Sequence, residues 1–78
     1  MKIKLYYAED HKLILFEING QSRPAADLLL GLALVKKDMI REKFGPNLPT
    51  IEVCGYVDEK LLEAKKQFDD IFYDVFTQ

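Results

Sequence analysis

The chain has one cysteine and one histidine among its 78 residues. It therefore forms no intrachain disulfide and no structural zinc site of the usual Cys/His kind. It also lacks a long apolar run. The longest uncharged apolar stretch with a helical pattern, Leu28 to Val35, falls far short of the roughly 20 residues that cross a bilayer. There is no excess of positive charge, since 11 Lys and Arg face 13 Asp and Glu for a formal charge of −2. That balance argues against a nucleic-acid binder, which presents a basic face. Met1-Lys2-Ile3-Lys4 lacks the apolar core of a secretion signal, because charge returns at every second residue. A free thiol without such a signal leads to the expectation of a reducing, cytoplasmic setting. No repeat, low-complexity tract or linker divides the chain, so residues 1–78 are expected to form one domain.

What is present is ordinary for a globular protein: 49% hydrophobic and 31% charged residues. A chain this short buries only roughly 60% of its unfolded surface and is marginal alone. Stability must come from good local structure or from association with another chain.

Residues 2–7 alternate, with Ile3, Leu5 and Tyr7 on one side and Lys2, Lys4 and Tyr6 on the other, the period of a strand. Residues 12–18 (KLILFEI) read as a second strand. A hairpin centred on Glu9-Asp10 would pair Tyr7 with Lys12, Leu5 with Ile14, Ile3 with Phe16 and Lys2 with Glu17. Its core face then carries Ile3, Leu5, Ile14, Phe16 and Ile18, and its second face Lys2, Lys4, Tyr6, Leu13, Leu15 and Glu17. Asn19-Gly20 is expected to end the strand. Ser22 would cap a helix running from about Pro24 to Phe44, stopped by a left-handed Gly45 and by Pro46. Its stripe Leu28, Leu32, Val35 and Met39 would cover the hairpin.

Residues 50–57 (TIEVCGYV) predict a third strand, parallel to the second in a right-handed βαβ unit. Asp58 would cap a second helix whose apolar face is Leu61, Ala64, Phe68, Ile71, Phe72 and Val75. Residues 71–76 have strand composition, but the unbroken apolar face favours helix. The expected fold is α/β, a small three-stranded mixed sheet in the order β-β-α-β-α.

The hairpin strand ending LILFEIN, the helix DLLLGLALV at Asp27–Val35 and the later IEVCGYV with DEKLLEAKK together resemble the core of the PD-(D/E)XK nuclease superfamily. The resemblance covers roughly residues 2–66 and implies a hairpin, helix and strand around a metal-dependent site. Glu17 matches the family's acidic position. Asn19 stands where the family has lysine, and Lys4 falls where the metal-binding aspartate would lie and repels a metal ion. Asp10 is roughly 20 Å from Glu17 at strand rise, too far to share an ion with it. The resemblance thus implies a degenerate, inactive version.

Other candidates have plainer readings. Glu17 suits an exposed cross-strand pair with Lys2. His11 could act as an acid or base, but no nucleophile stands beside it in the sequence, which suits a solvated turn. Cys54 could be a nucleophile, but its mid-strand place predicts a buried, unreactive thiol. Asn19-Gly20-Gln21-Ser22 could cradle an anion at a helix start; a plain turn is simpler. Lys36, Lys37, Arg41 and Lys43 complement the helix dipole, or could bind phosphate. No cofactor is expected.

The informative anomaly is Leu30 and Leu34. At 100° per residue they share the charged side with Asp27, Asp38 and Arg41, opposite the core stripe. A helix apolar on both sides needs cover on both. The sequence therefore predicts a non-catalytic protein-interaction module, a homodimer or a small subunit or inhibitor docked on a larger protein. Its interface would use Leu30, Gly31 and Leu34, with Tyr6, Leu13 and Leu15. The alternatives are a metal-dependent nuclease or other phosphate-handling enzyme, and a nucleic-acid-binding adaptor.

Overall fold

Strand β1 (Lys2–Tyr7) buries Ile3 and Leu5 completely and leaves Lys2 and Lys4 in solvent, as its alternation predicts. The protein is seen here in a computed structural model that describes residues 1–77. Strand β2 (Ile14–Ile18) pairs antiparallel with β1, with Leu5 opposite Phe16 and Tyr7 opposite Ile14. This is two residues from the predicted register, because the loop 8–13 carries its own hydrogen bonds. His11 takes a left-handed φ of 55° and donates its N–H to the Ala8 carbonyl at 2.8 Å. Asp10 Oδ1 accepts from the Lys12 N–H at 3.0 Å. A shift of two keeps every side chain on its face, so the predicted core face of the hairpin holds.

Asn19-Gly20 does more than end a strand. Both residues have positive φ, 52° and 81°, as in the tight two-residue turns that join hairpin strands. The chain returns antiparallel as β3 (Gln21–Pro24), with Ile18 opposite Gln21 and Phe16 opposite Arg23. The sheet therefore has four strands, not three. Ser22 lies in a strand and not at a helix cap, and its hydroxyl is hydrogen-bonded to that of Tyr6. Helix α1 (Ala25–Leu34) begins only at Ala25, with Pro24 at the cap position and no capping side chain.

The single predicted helix is also two. Val35 and Lys36 are extended, and α2 (Lys37–Phe44) starts anew. No proline or glycine marks the break. Packing against the last helix, α3 (Glu59–Phe76), accounts for it. The redirected α2 buries Ile40 and Phe44 and sets Phe44 edge-on to Phe72, with ring centroids 5.2 Å apart. Lys37 pairs with Asp74 at 2.8 Å, and the Arg41 guanidinium donates to the Val75 carbonyl at 3.0 Å, near the carbonyl-rich end of α3. The predicted stripe is split as a result: Leu32 is buried, while Val35 and Met39 are 41% and 57% exposed. Gly45 is not left-handed, with φ −79°. A glycine is needed there because a Cβ would lie 2.3 Å from the Arg41 carbonyl oxygen.

Strand β4 (Thr50–Val53) is shorter than the predicted 50–57 and runs parallel to β1, with Ile3 opposite Ile51. The sheet order is β3-β2-β1-β4. The predicted βαβ unit between the second strand and this one does not form. β3 already holds the free edge of β2, so β4 takes the free edge of β1. The element order is β-β-β-α-α-β-α. Helix α3 follows expectation: Asp58 Oδ1 accepts from the Leu61 N–H at 2.9 Å, residues 71–76 are helical, and Leu61, Phe68, Phe72 and Val75 are buried. Helix α1 packs on β2 and β3, and α3 on β4 and β1. The helices share the core-facing side, so the opposite face of the sheet is open. Among the described residues no helix is long and apolar enough to cross a membrane.

Two glycine substitutions report on this packing in opposite directions. Gly45→Ala should lower stability by about 1–3 kcal/mol, the scale of forced overpacking. Gly31→Ala, mid-helix with nothing within 4 Å of the added carbon, should raise it by about 0.5–1 kcal/mol. Urea unfolding midpoints measure both, and an unchanged midpoint for Gly45→Ala would contradict the packing at the end of α2.

Candidate functional site

The predicted interface residues do not form one surface. Leu30, Gly31 and Leu34 lie on the outer side of α1, where the two leucines are 61% and 76% exposed. Tyr6 and Leu15 sit opposite one another on the open face of the sheet. Leu13 precedes β2 and lines a cleft of about 380 Å³ with Ala26, Leu29, Lys60 and Glu63, between the starts of α1 and α3.

The apolar surface of α1 continues into a groove that sequence reading missed. Because the chain turns at Val35-Lys36, α1 and α2 diverge over the β2–β3 hairpin. They leave two adjoining hollows of about 350 and 500 Å³ that share Phe16, Arg23, Leu28, Lys43 and Phe44. Val35 and Met39, expected in the core, line the smaller hollow beside Gly31. Arg23 and Lys43 stand on the walls, and Asp27 is the only carboxylate among the lining residues. No sequence signal marked this groove, since it depends on an uncapped helix break.

The positions matched to the nuclease family lie apart from it. Lys4 sits on the open sheet face between Glu17 of β2 and Glu52 of β4. Glu17 does not pair with Lys2 as expected. Lys2 instead binds Glu52 at 2.9 Å, which raises the Lys2 pKa and holds the Glu52 carboxyl below its usual range, in both cases through their hydrogen bond first and then through charge. Exposed pairs of this kind add little stability. Asn19 is in the turn after β2. Among the described residues no three His, Cys, Asp or Glu side chains converge closely enough to hold an ion.

His11 and Cys54 do meet, around a cleft of about 340 Å³ that also includes Tyr6, Tyr7, Gly55 and Tyr56. It lies at the C-terminal ends of the parallel strands β1 and β4, the usual place for ligands in α/β sheets. The His11 ring stacks on Tyr56 at 5.2 Å and 16°, and Tyr7 meets His11 edge-on at 6.1 Å. Cys54 is half-buried, not buried as predicted. The strand ends at Val53, and Gly55, with φ 73°, turns the chain away. The Cys54 thiol donates to Glu52 Oε1 at 3.8 Å. Among the described residues no hydrogen bond joins this thiol to the imidazole. The Tyr7 hydroxyl donates to Asp58 Oδ1 at 2.7 Å, tying the end of β1 to the cap of α3. That hydrogen bond, then burial, then the charge of Asp58 push the Tyr7 pKa up to about 12. The Asp58 carboxyl is held below its usual range by the Leu61 N–H and then by Tyr7.

No protein-family model, curated protein or solved structure matches the chain.

The Tyr7–Asp58 bond has a defined pH signature. The folded pKa of Tyr7 is raised, so its contribution is full below the ordinary tyrosine value of about 10 and is lost as pH rises through about 12. That of Asp58 is lowered, so its contribution is full above the ordinary aspartate value of about 4 and is lost as pH falls through the lower folded value. Ultraviolet titration should show one phenol ionising near pH 12 that returns toward 10 in Asp58→Asn. A native titration without that late phenol would refute the bond.

Proposed function

We propose that this protein is a non-catalytic interaction module that docks on another protein, or on a second copy of itself, through the α1–α2 corner. The observation that carries this reading is the exposure of Leu30, Leu34, Val35 and Met39 along α1, its break and the start of α2. Single exposed leucines are normal on any surface. Leu30 and Leu34 are neighbours one turn apart, and Val35 and Met39 border the groove beside Gly31, so the four belong to one region.

Burial of an apolar side chain is worth about 1.5–3 kcal/mol. Four together offset a substantial part of the cost of association. The charged residues around them would form the polar rim of such an interface. Tyr6 and Leu15 on the open sheet face lie on the other side of the domain and would serve a separate contact. The competing enzyme reading has weaker support, since His11 stacks on an aromatic ring, Cys54 bonds a carboxylate, and Lys4 stands between Glu17 and Glu52.

The test is Leu30→Glu with Leu34→Lys. Both side chains are mostly in solvent, so stability should stay within about 0.5 kcal/mol of wild type. Self-association by light scattering at several concentrations, or binding of the native partner, should be lost while the circular dichroism spectrum is unchanged. A wild-type chain that stays monomeric at high concentration and binds no protein of its host would contradict the proposal. A double variant that unfolds would show the two leucines to be core.

A further inference from the structure

We infer that the groove between β3 and the α1–α2 corner receives an amphipathic, acidic segment of the partner protein, with its apolar side on Leu28, Val35 and Met39 and its carboxylates on Arg23 and Lys43. The inference rests on the interaction reading above and adds the chemistry of the partner.

The register carries the first part of the argument. Arg23 lies opposite Phe16, so it stands on the core-facing side of the sheet, where a strand of this domain would otherwise place an apolar residue. Helices α1 and α2 do not close over it, and the half-buried Leu28 lines the same space as the guanidinium, together with the edges of the otherwise buried Phe16 and Phe44. Lys43 enters from α2 on the other wall.

Charge carries the second part. Lys2, Lys37, Arg41 and Lys65 each hold a carboxylate. Arg23 and Lys43, like Lys4, Lys12, Lys36, Lys60 and Lys66, take part in no ion pair among the described residues, but of these seven only Arg23 and Lys43 line the groove, on a chain that carries −2 overall. The groove is thus a locally cationic site on an anionic domain, with an apolar floor and Asp27 as its only lining carboxylate. Arg23 and Lys43 are both exposed, so a basic occupant would be repelled and an apolar one would gain nothing from them, whereas acidic side chains flanking an apolar stripe would pair with both.

The apolar surface runs on from the groove over Val35 and Met39 and past Gly31 to Leu30 and Leu34. That is more than a small anionic amphiphile covers, and it favours a protein segment laid along a groove. An inward charge on an edge strand can also serve only to discourage strand pairing, and the same experiment separates the two roles.

The probe is a synthetic helical peptide with leucines on one face flanked by glutamates, compared with a twin in which each glutamate is lysine. Affinity is read by fluorescence anisotropy, and the site by methyl and aromatic chemical shifts. The acidic peptide should bind about tenfold more tightly than its twin, the preference should fade as salt rises, and shifts should centre on Leu28, Val35 and Met39. Arg23→Glu with Lys43→Glu, both at exposed positions, should reverse the preference with an unchanged circular dichroism spectrum. Equal binding of the twins, a preference that survives the double variant, or no binding at a concentration on the order of 1 mM would overturn the inference. So would decanoate displacing the peptide with the same shifts, or the same residues shifting with protein concentration alone, which would assign the groove to a small amphiphile or to a second copy. If Leu30→Glu with Leu34→Lys abolishes native association while the twins bind alike, the interaction module stands and only the acidic-segment inference fails.

Discussion

Asn19 and Gly20 both take left-handed backbone conformations, and this reversal governs where the later elements can go. It returns the chain as β3 and so fills the free edge of β2. The last strand must then join β1, whose other side is open. It delays α1 to Ala25, which places that helix over β2 and β3 and leaves α3 to cover β1 and β4. It also sets Arg23 beside Phe16 on the core side of an edge strand. Without this turn the sheet would keep three strands and Arg23 would not stand on its core side.

The parts legible in the sequence were those fixed by local periodicity. Alternation in β1 and β2 marked Ile3, Leu5 and Phe16 as core, and a two-residue error in register left that face intact because strand side chains repeat every second residue. The 3.6-residue pattern of α3 and its Asp58 cap were both readable, as was the outward side of Leu30 and Leu34. The Asn-Gly pair was also readable in principle, since it is the strongest short hairpin signal. The strand that follows it, QSRP, has neither β-branched residues nor alternation and so carries no strand signal of its own. The break at Val35-Lys36 had no local signal. It goes with the contacts of Arg41 and Phe44 with α3, more than thirty residues away along the chain for the Arg41 bond. The cluster of Tyr7, His11, Cys54 and Tyr56 was equally hidden, because it requires the parallel pairing of β1 with β4.

A domain of this size has too few elements to cover every apolar surface it makes. The helices protect one face of the sheet, and the price is a first helix with leucines on both sides. The open sheet face carries a charged row, Glu52, Lys4, Glu17 and Ser22 across the four strands, beside the pair Tyr6 and Leu15. The outer side of α1 has no such row. Leu30 and Leu34 stand beside Gly31 and Ala33, with no charged residue between Asp27 and Lys36. The contrast between the charged row on the open face and the run of uncharged residues on the outer side of α1 is what the proposed docking through the α1–α2 corner rests on.

That claim is tested most directly by covalent capture in the native host. A photoreactive phenylalanine analogue is placed at Leu34 on the outer side of α1, and for comparison at Glu17 on the open sheet face. Irradiation should yield one discrete adduct from position 34 and none from position 17. Adducts of equal yield at both positions, or none at position 34, would contradict the account.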